Sequence, residues 1–145
     1  MKKIISTTLV FGFFLFANSL FAQEISKEQM LAFQSDKVES FKTAFSKEDY
    51  DKCFAVKENS YSLLSYSIKY ERKNIFNHLL NSGVDINKSC DNQTPLMVAA
   101  RYGKVELGKA LIKKGANKNT KNNSGETAKD FSAKYKHPEF AAVLK

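Results

Sequence analysis

At 145 residues, with 23 Lys and Arg against 15 Asp and Glu, the chain carries a formal net charge of +8 and has the length of one domain with a modest core. Its two histidines, His78 and His137, have no second ligand at metal spacing. No G-x-S-x-G elbow, phosphate-cradling glycine loop or paired-acid constellation is present, so neither catalysis nor a cofactor nor a metal is expected.

Residues 1–22 have the three-part layout of a secretory signal peptide. Lys2-Lys3 forms a basic start, Leu9 to Ala17 is apolar, and Leu20-Phe21-Ala22 places a small residue before Gln23. The apolar run is too short to cross a bilayer, which takes roughly 20 residues, and no Cys follows it to carry a lipid. The expectation is an exported chain, periplasmic or secreted, whose basic start fits a bacterial signal. Cleavage would change the net charge from +8 to +6. What remains is uneven: Gln23 to Ala100 has ten basic residues against eleven acidic, whereas Arg101 to Lys145 has eleven against four. That basic C-terminal third can attract an anionic partner, or can be a solvated lysine face.

After the signal, Ser26-x-x-Gln29 before Met30-Leu31 reads as a capping box opening a short helix over 23–35, placed to shield one end of the domain. Val38, Phe41, Ala44 and Phe45 have helical spacing, and Tyr50, Cys53 and Phe54 suggest a second helix. The link from there to Ser62 is shorter than its counterpart later in the chain, which predicts a truncated first hairpin.

From Ser62 the sequence repeats. Ser62 to Asn87 lies without gaps over Thr94 to Asn119 at a shift of 32 residues, with Leu64 on Leu96, Tyr70 on Tyr102, Leu79-Leu80 on Leu111-Ile112 and Gly83 on Gly115. A weaker third copy follows at 33 residues, placing Thr127 on Thr94, Tyr135 on Tyr102 and Phe140 on Leu107. A fixed period in this range marks a solenoid of one supersecondary unit. Within the unit Thr94 suits a helix cap, Pro95 the first helical position and Gly103 the left-handed residue that ends the helix. Val105, Leu107, Leu111 and Ile112 then line one face of a second helix, which Gly115 closes. Such short helices are marginal alone in water, so stacking must bury their apolar faces.

Thr94-Pro95-Leu96, Ala99-Ala100, Gly103 and Gly115-Ala116-Asn117-Lys118-Asn119 resemble the ankyrin repeat. The resemblance implies an all-α solenoid of about four helix-turn-helix units, at about 36–60, 61–90, 91–123 and 124–145, with short β-hairpin connections and degenerate units at both ends. It departs from the pattern at Leu63, where proline is expected, and at Glu71, where the turn glycine is expected, which puts that tight turn in doubt. The last unit stops inside its second helix, and Lys129, Lys134 and Lys136 make it polar, as an end cap must be.

The resemblance also implies a non-catalytic module that binds a protein through hairpin tips and the groove along the first helices, acting as inhibitor, neutraliser or assembly factor. Lys69-Tyr70, Arg101-Tyr102 and Lys134-Tyr135 recur once per unit near the end of the first helix, which predicts a ladder across one face. Tyrosine and arginine are enriched at interface hot spots. The ladder is therefore the candidate binding surface, flanked by Asn92, Gln93, Lys118 and Lys121; the bland alternative is that each pair only packs against the next helix. A second function reading is contact with an anionic envelope surface or ligand through the basic third, without spanning a membrane. No recognised nucleic-acid module is present, and the chain is expected to be a monomer. Cys53 and Cys90 are a candidate disulfide: the intervening unit argues against pairing, and a truncated first hairpin leaves room for it.

Overall fold

The computed structural model describes residues 23–145; the expected signal segment lies outside the described residues. Helices α1 (Lys27–Gln34) and α2 (Val38–Ala44) pack on each other, as do α3 (Leu63–Lys69) with α4 (Lys73–Asn81) and α5 (Pro95–Arg101) with α6 (Val105–Lys113). The helix α7 (Ala128–Lys134) packs on a closing 3₁₀ segment, Pro138–Leu144. Helices α3, α5 and α7 stack side by side, while α2 lies against α4 and α6 against the closing segment. Each pair therefore contributes one helix to an inner row and one to an outer row.

The same cap opens every inner helix. Ser26, Ser62, Thr94 and Thr127 hold extended backbone, and each side-chain oxygen accepts from the backbone N–H three residues on, at 3.1, 3.1, 3.3 and 3.4 Å. That satisfies a donor the helix itself leaves unpaired. The same turn also joins inner to outer helix. Asp36, Glu71, Gly103 and Lys136 all take left-handed backbone, with φ of 51°, 50°, 63° and 62°. Behind three of them the next N–H reaches back five residues, from Arg72 to Ser67 O at 2.9 Å, Lys104 to Ala99 O at 2.8 Å and His137 to Ser132 O at 2.7 Å, which closes the helix end. The turn at Glu71 thus forms without its glycine. At Gly103 the glycine is needed for space as well, because a Cβ there would meet the His137 ring at 2.5 Å.

The second helix expected over Tyr50, Cys53 and Phe54 is absent. A 3₁₀ turn (Lys47–Asp49), boxed by Ser46 and Asp49, leads instead into strand β2 (Cys53–Val56), which pairs antiparallel with β3 (Asn59–Ser62) and parallel with β1 (Gln23–Glu24). The helical spacing was misleading there because only Phe54 of these strand residues is fully buried, and one anchored ring fits either period. Nor is the first hairpin truncated: four residue pairs register across it, whereas its successor closes on the single bridge Cys90–Gln93. The outer helix of the first pair is α2, so the residues from Tyr50 to Ser62 are all free to form the hairpin and its approach.

A single core runs through the stack from Phe33 to Phe140. Leu111 is fully buried and Lys113 exposed, as helical spacing requires. Among the described residues no helix is long and apolar enough to cross a membrane.

Candidate functional site: a ladder of cations and rings

Tyr70, Tyr102 and Tyr135 cap the C-termini of α3, α5 and α7 with nearly equal φ of −102°, −103° and −97°. Equal backbones on neighbouring helices aim equal side chains the same way, so the three Lys/Arg-Tyr pairs form one interleaved array. The Lys69 ammonium lies 5.2 Å from the Tyr70 ring centroid and 5.5 Å from that of Tyr102. The Arg101 guanidinium lies 5.6 Å from Tyr102 and 4.8 Å from Tyr135, and Lys134 is 5.9 Å from both Tyr135 and Phe131. Each is within the roughly 6 Å over which a cation is attracted to a ring face. Along the stack the order is Tyr70, Lys69, Tyr102, Arg101, Tyr135, Lys134.

Each cation is held from beneath by the residue eight positions earlier, just before the helix cap. Lys69 Nζ donates to Tyr61 Oη at 3.1 Å, Arg101 Nη1 to Gln93 Oε1 at 3.3 Å and Lys134 Nζ to Glu126 Oε1 at 2.8 Å. Sequence reasoning passed over Tyr61 and Glu126 as parts of this array, although the shifts of 32 and 33 that align the cations also align these supports.

The supports differ in charge, and this grades the ladder. Hydrogen bonds from Lys134 and Asn122 hold the Glu126 carboxyl below its usual range, and Glu126 in turn raises the Lys134 ammonium. That rung is an internal ion pair. Burial alone would lower the Lys69 ammonium, but the Tyr61 hydroxyl and the surrounding phenols outweigh it and hold it above its usual range. Net positive charge therefore resides at Lys69 and Arg101, both half-buried between rings. Tyr70, at 44% exposed, is the most open of the three cap rings.

The flanking candidates are spread more widely. Asp91 and Asn92, with φ of 50° and 58°, form the exposed two-residue tip between Cys90 and Gln93. Gln93 is only 7% exposed and acts beneath the surface, on Arg101. Lys118 and Lys121 are exposed in the loop between α6 and α7, and Lys118 donates to the Lys145 carbonyl at 3.2 Å. The structure thus gathers Lys69, Tyr70, Arg101, Tyr102, Lys134 and Tyr135 into one surface and leaves Lys118 and Lys121 in a separate loop.

Cys53 and Cys90 are joined by a disulfide, their Cα atoms 5.7 Å apart. Helices α3 and α4 do not separate them, because each cysteine opens a hairpin and successive hairpins are neighbours along the stack. His78 shares a 3.0 Å hydrogen bond with the Tyr50 hydroxyl and His137 a 3.2 Å contact with Glu139. Among the described residues no group of three or more His, Cys, Asp or Glu side chains is placed to hold a metal ion.

Stacked helix pairs joined by hairpins, each pair repeating one cap and one turn, define a solenoid of short helical repeats. A family model described as ankyrin repeats, in three copies, matches residues 64–145, and the chain belongs to that family. Proteins of this family are generally protein–protein interaction modules and typically non-catalytic. The match covers the whole ladder and begins inside α3, so α1, α2 and the first hairpin lie outside it. No curated protein matches the chain.

Proposed function

We propose that the chain is an exported, non-catalytic module that binds a protein partner through the cation–tyrosine ladder and acts by covering that partner's surface, as an inhibitor, neutraliser or assembly factor. The carrying observation is the ladder itself. Arg101 and Lys69 are pre-positioned between rings and fixed from beneath, so little side-chain freedom is lost on binding. Their excess positive charge favours an acidic partner patch with apolar neighbours. Export is supported by the signal-like layout of residues 1–22 and by the Cys53–Cys90 bridge, a feature of oxidising compartments.

The test is an Arg101→Ala, Tyr102→Ala double variant, with Lys113→Ala as the control, used to capture and then titrate the major partner in envelope extract. The double variant should bind about 30-fold or more weakly, the loss of roughly 2 kcal/mol that marks a hot spot. Unchanged affinity in a variant that still melts cooperatively would refute the ladder as the interface. A second reading follows from the exposed Lys113, Lys114, Lys121, Lys129 and Lys136: contact with an anionic envelope surface. It predicts binding that collapses between low and physiological salt, because exposed charges are screened over about 8–10 Å there. A packed interface keeps most of its affinity across that range.

A further inference from the structure

Stacking is close between α3 and α5 and between α5 and α7, where Ser65, Ser67, Ala99 and Ala100 are small and fully buried. Between α1 and α3 the filling is different. Phe33 and Tyr66 meet with ring centroids 4.7 Å apart, and the Tyr66 hydroxyl donates to Met30 Sδ at 3.2 Å. Such bulk props the two helices apart, and a cavity of about 290 Å³ opens between them. Met30 and Phe33 of α1, Tyr66 and Tyr70 of α3, Lys57 of the β2–β3 turn and Arg72 of the α3–α4 turn contribute to its walls.

Two cations, Lys57 and Arg72, reach this cavity beside the neutral polar groups of Gln34, Tyr66 and Tyr70, and no carboxylate lines it. Arg72 Nε is buried and has no hydrogen-bond partner, and among the described residues no acidic side chain pairs with the guanidinium. A buried cationic donor left unmatched is costly to keep. Nε is closed to solvent, so an acid in the cavity is drawn by the guanidinium charge and not bonded at Nε. Tyr66 donates only to a thioether, a weak acceptor, and a stronger acceptor could displace it. Burial, reinforced by Tyr70, pushes the Tyr66 phenol up to about 12, so it remains a donor through the neutral range. Lys57 stands exposed at the hairpin tip, at φ 57°.

We infer that this cavity binds a carboxylate carried on a compact apolar body, the carboxylate held by Arg72 and Lys57 and the body seated among Phe33, Met30, Tyr66 and Tyr70. Its volume is near the lower edge of the roughly 300–1,000 Å³ found for ligand clefts, which suits one ring on a short tether and excludes a nucleotide cofactor. A free small acid and the C-terminal carboxylate of a polypeptide offer the same chemistry. The site is independent of the partner reading, although Tyr70 borders both.

The experiment titrates hydrocinnamate into the full chain and follows the Met30 methyl and Tyr66 ring signals by NMR. Hydrocinnamyl alcohol, a pentapeptide ending in a free Phe carboxylate, and its C-terminal amide are run beside it. Saturable shifts are expected with hydrocinnamate, at least about tenfold weaker with the alcohol, because the attraction of a carboxylate to two cations is lost. Binding by the peptide acid alone would assign the carboxylate to a polypeptide terminus. Arg72→Gln should abolish binding; should that variant fail to fold, the exposed Lys57→Gln carries the test and should weaken binding about threefold or more. The Arg101→Ala, Tyr102→Ala variant should bind hydrocinnamate as wild type does, so failure of the ladder leaves this site standing. Equal binding of acid and alcohol, no shift at Met30 with either acid, or full affinity in both Arg72→Gln and Lys57→Gln would overturn the assignment.

Discussion

From Gln23 to Ser62 the interior is built of rings. Phe41 stacks on Phe45 at 4.9 Å, Phe45 meets Phe54 edge-on at 5.7 Å, and Phe33, Tyr50 and Tyr61 complete the set, with a three-stranded sheet and a disulfide alongside. From Thr94 to Lys134 the interior is built of small and aliphatic side chains, Ala99, Ala100, Leu107, Gly108 and Leu111, with Phe131 its one buried ring. The difference follows from position. A central pair is covered on both sides, so small residues that admit a close neighbour bury enough area. Among the described residues the α1–α2 pair is covered on one side only, and each aromatic side chain buries roughly 150–250 Å², so rings recover from one interface what a central pair gains from two. The family match, which starts inside α3, leaves out the segment built on this different plan.

Truncating one fully buried side chain in each region tests the comparison with the largest effect. Phe41→Ala should cost about 3–5 kcal/mol and Leu111→Ala about 2–5 kcal/mol, through lost burial and the cavity left behind. The manner of unfolding should differ more than the size. A solenoid contacts only neighbours, so loss of Phe41 should let α1 and α2 melt ahead of the rest, lowering the urea slope and separating the Tyr50 ring signal in NMR from far-UV ellipticity. Leu111→Ala, at the centre, should lower the midpoint in one transition. One transition at unchanged slope for both variants would mean that the aromatic end is not a distinct unit.

The disulfide ties the two plans together, since Cys53 belongs to the first hairpin and Cys90 to the second. Opening a bridge across 37 residues should cost about 4 kcal/mol if chain entropy governs it, and about 2–4 kcal/mol is typical. Thiol counting on denatured, non-reduced protein from an envelope fraction should find no free thiol, on a chain beginning at Gln23. A chain with two free thiols that retains residues 1–22 would sink the export proposal. A chain with both thiols free yet wild-type stability would show that the hairpins hold each other unaided.

What the sequence disclosed divides along the same line. The units from Ser62 onward were legible because their period is kept by several chemically distinct residues at once: cap, turn, apolar pair and closing glycine. The ladder was legible for the same reason, since three identical spacings imply three neighbouring positions on a stacked lattice. Ahead of Ser62 the period survives only in backbone geometry. Ser26 and Asp36 take the cap and turn roles, but Asp36 is neither glycine nor aligned by any ungapped shift, and its carboxylate serves a different end, accepting from Asn74 N at 3.3 Å and Ile75 N at 3.1 Å to cap α4. The strand over Cys53–Val56 was illegible because the turn of its hairpin, Lys57-Glu58, has no glycine or asparagine to mark it, and its other edge pairs with Gln23–Glu24, distant in sequence. The supports Tyr61, Gln93 and Glu126 share a position but not a chemistry, so no repeated residue marks them, and Gln93 stands out in the sequence only as a hairpin flank of the groove.

The smallest effect is expected where two regions use one turn with different residues. Glu71 and Gly103 sit at equivalent positions with φ of 50° and 63°, yet what lies over them differs. Above Gly103 is the His137 ring, 2.5 Å from where a Cβ would stand; above Glu71 is Lys104, whose ammonium bonds the carboxylate at 2.8 Å and, with its charge, holds that carboxyl below its usual range. Gly103→Ala should therefore cost about 1–2 kcal/mol in left-handed strain, plus displacement of His137, and only the second part should return when His137→Ala is added. Glu71→Gly should be close to neutral. It relieves the same strain, but glycine returns roughly 0.5–1 kcal/mol of that to the flexibility of the unfolded chain, and the exposed ion pair it removes contributes at most about 1 kcal/mol. Urea melts of the three variants decide the matter. A large loss from Glu71→Gly would mean that the Lys104 pair, not the backbone turn, joins that helix pair to the next.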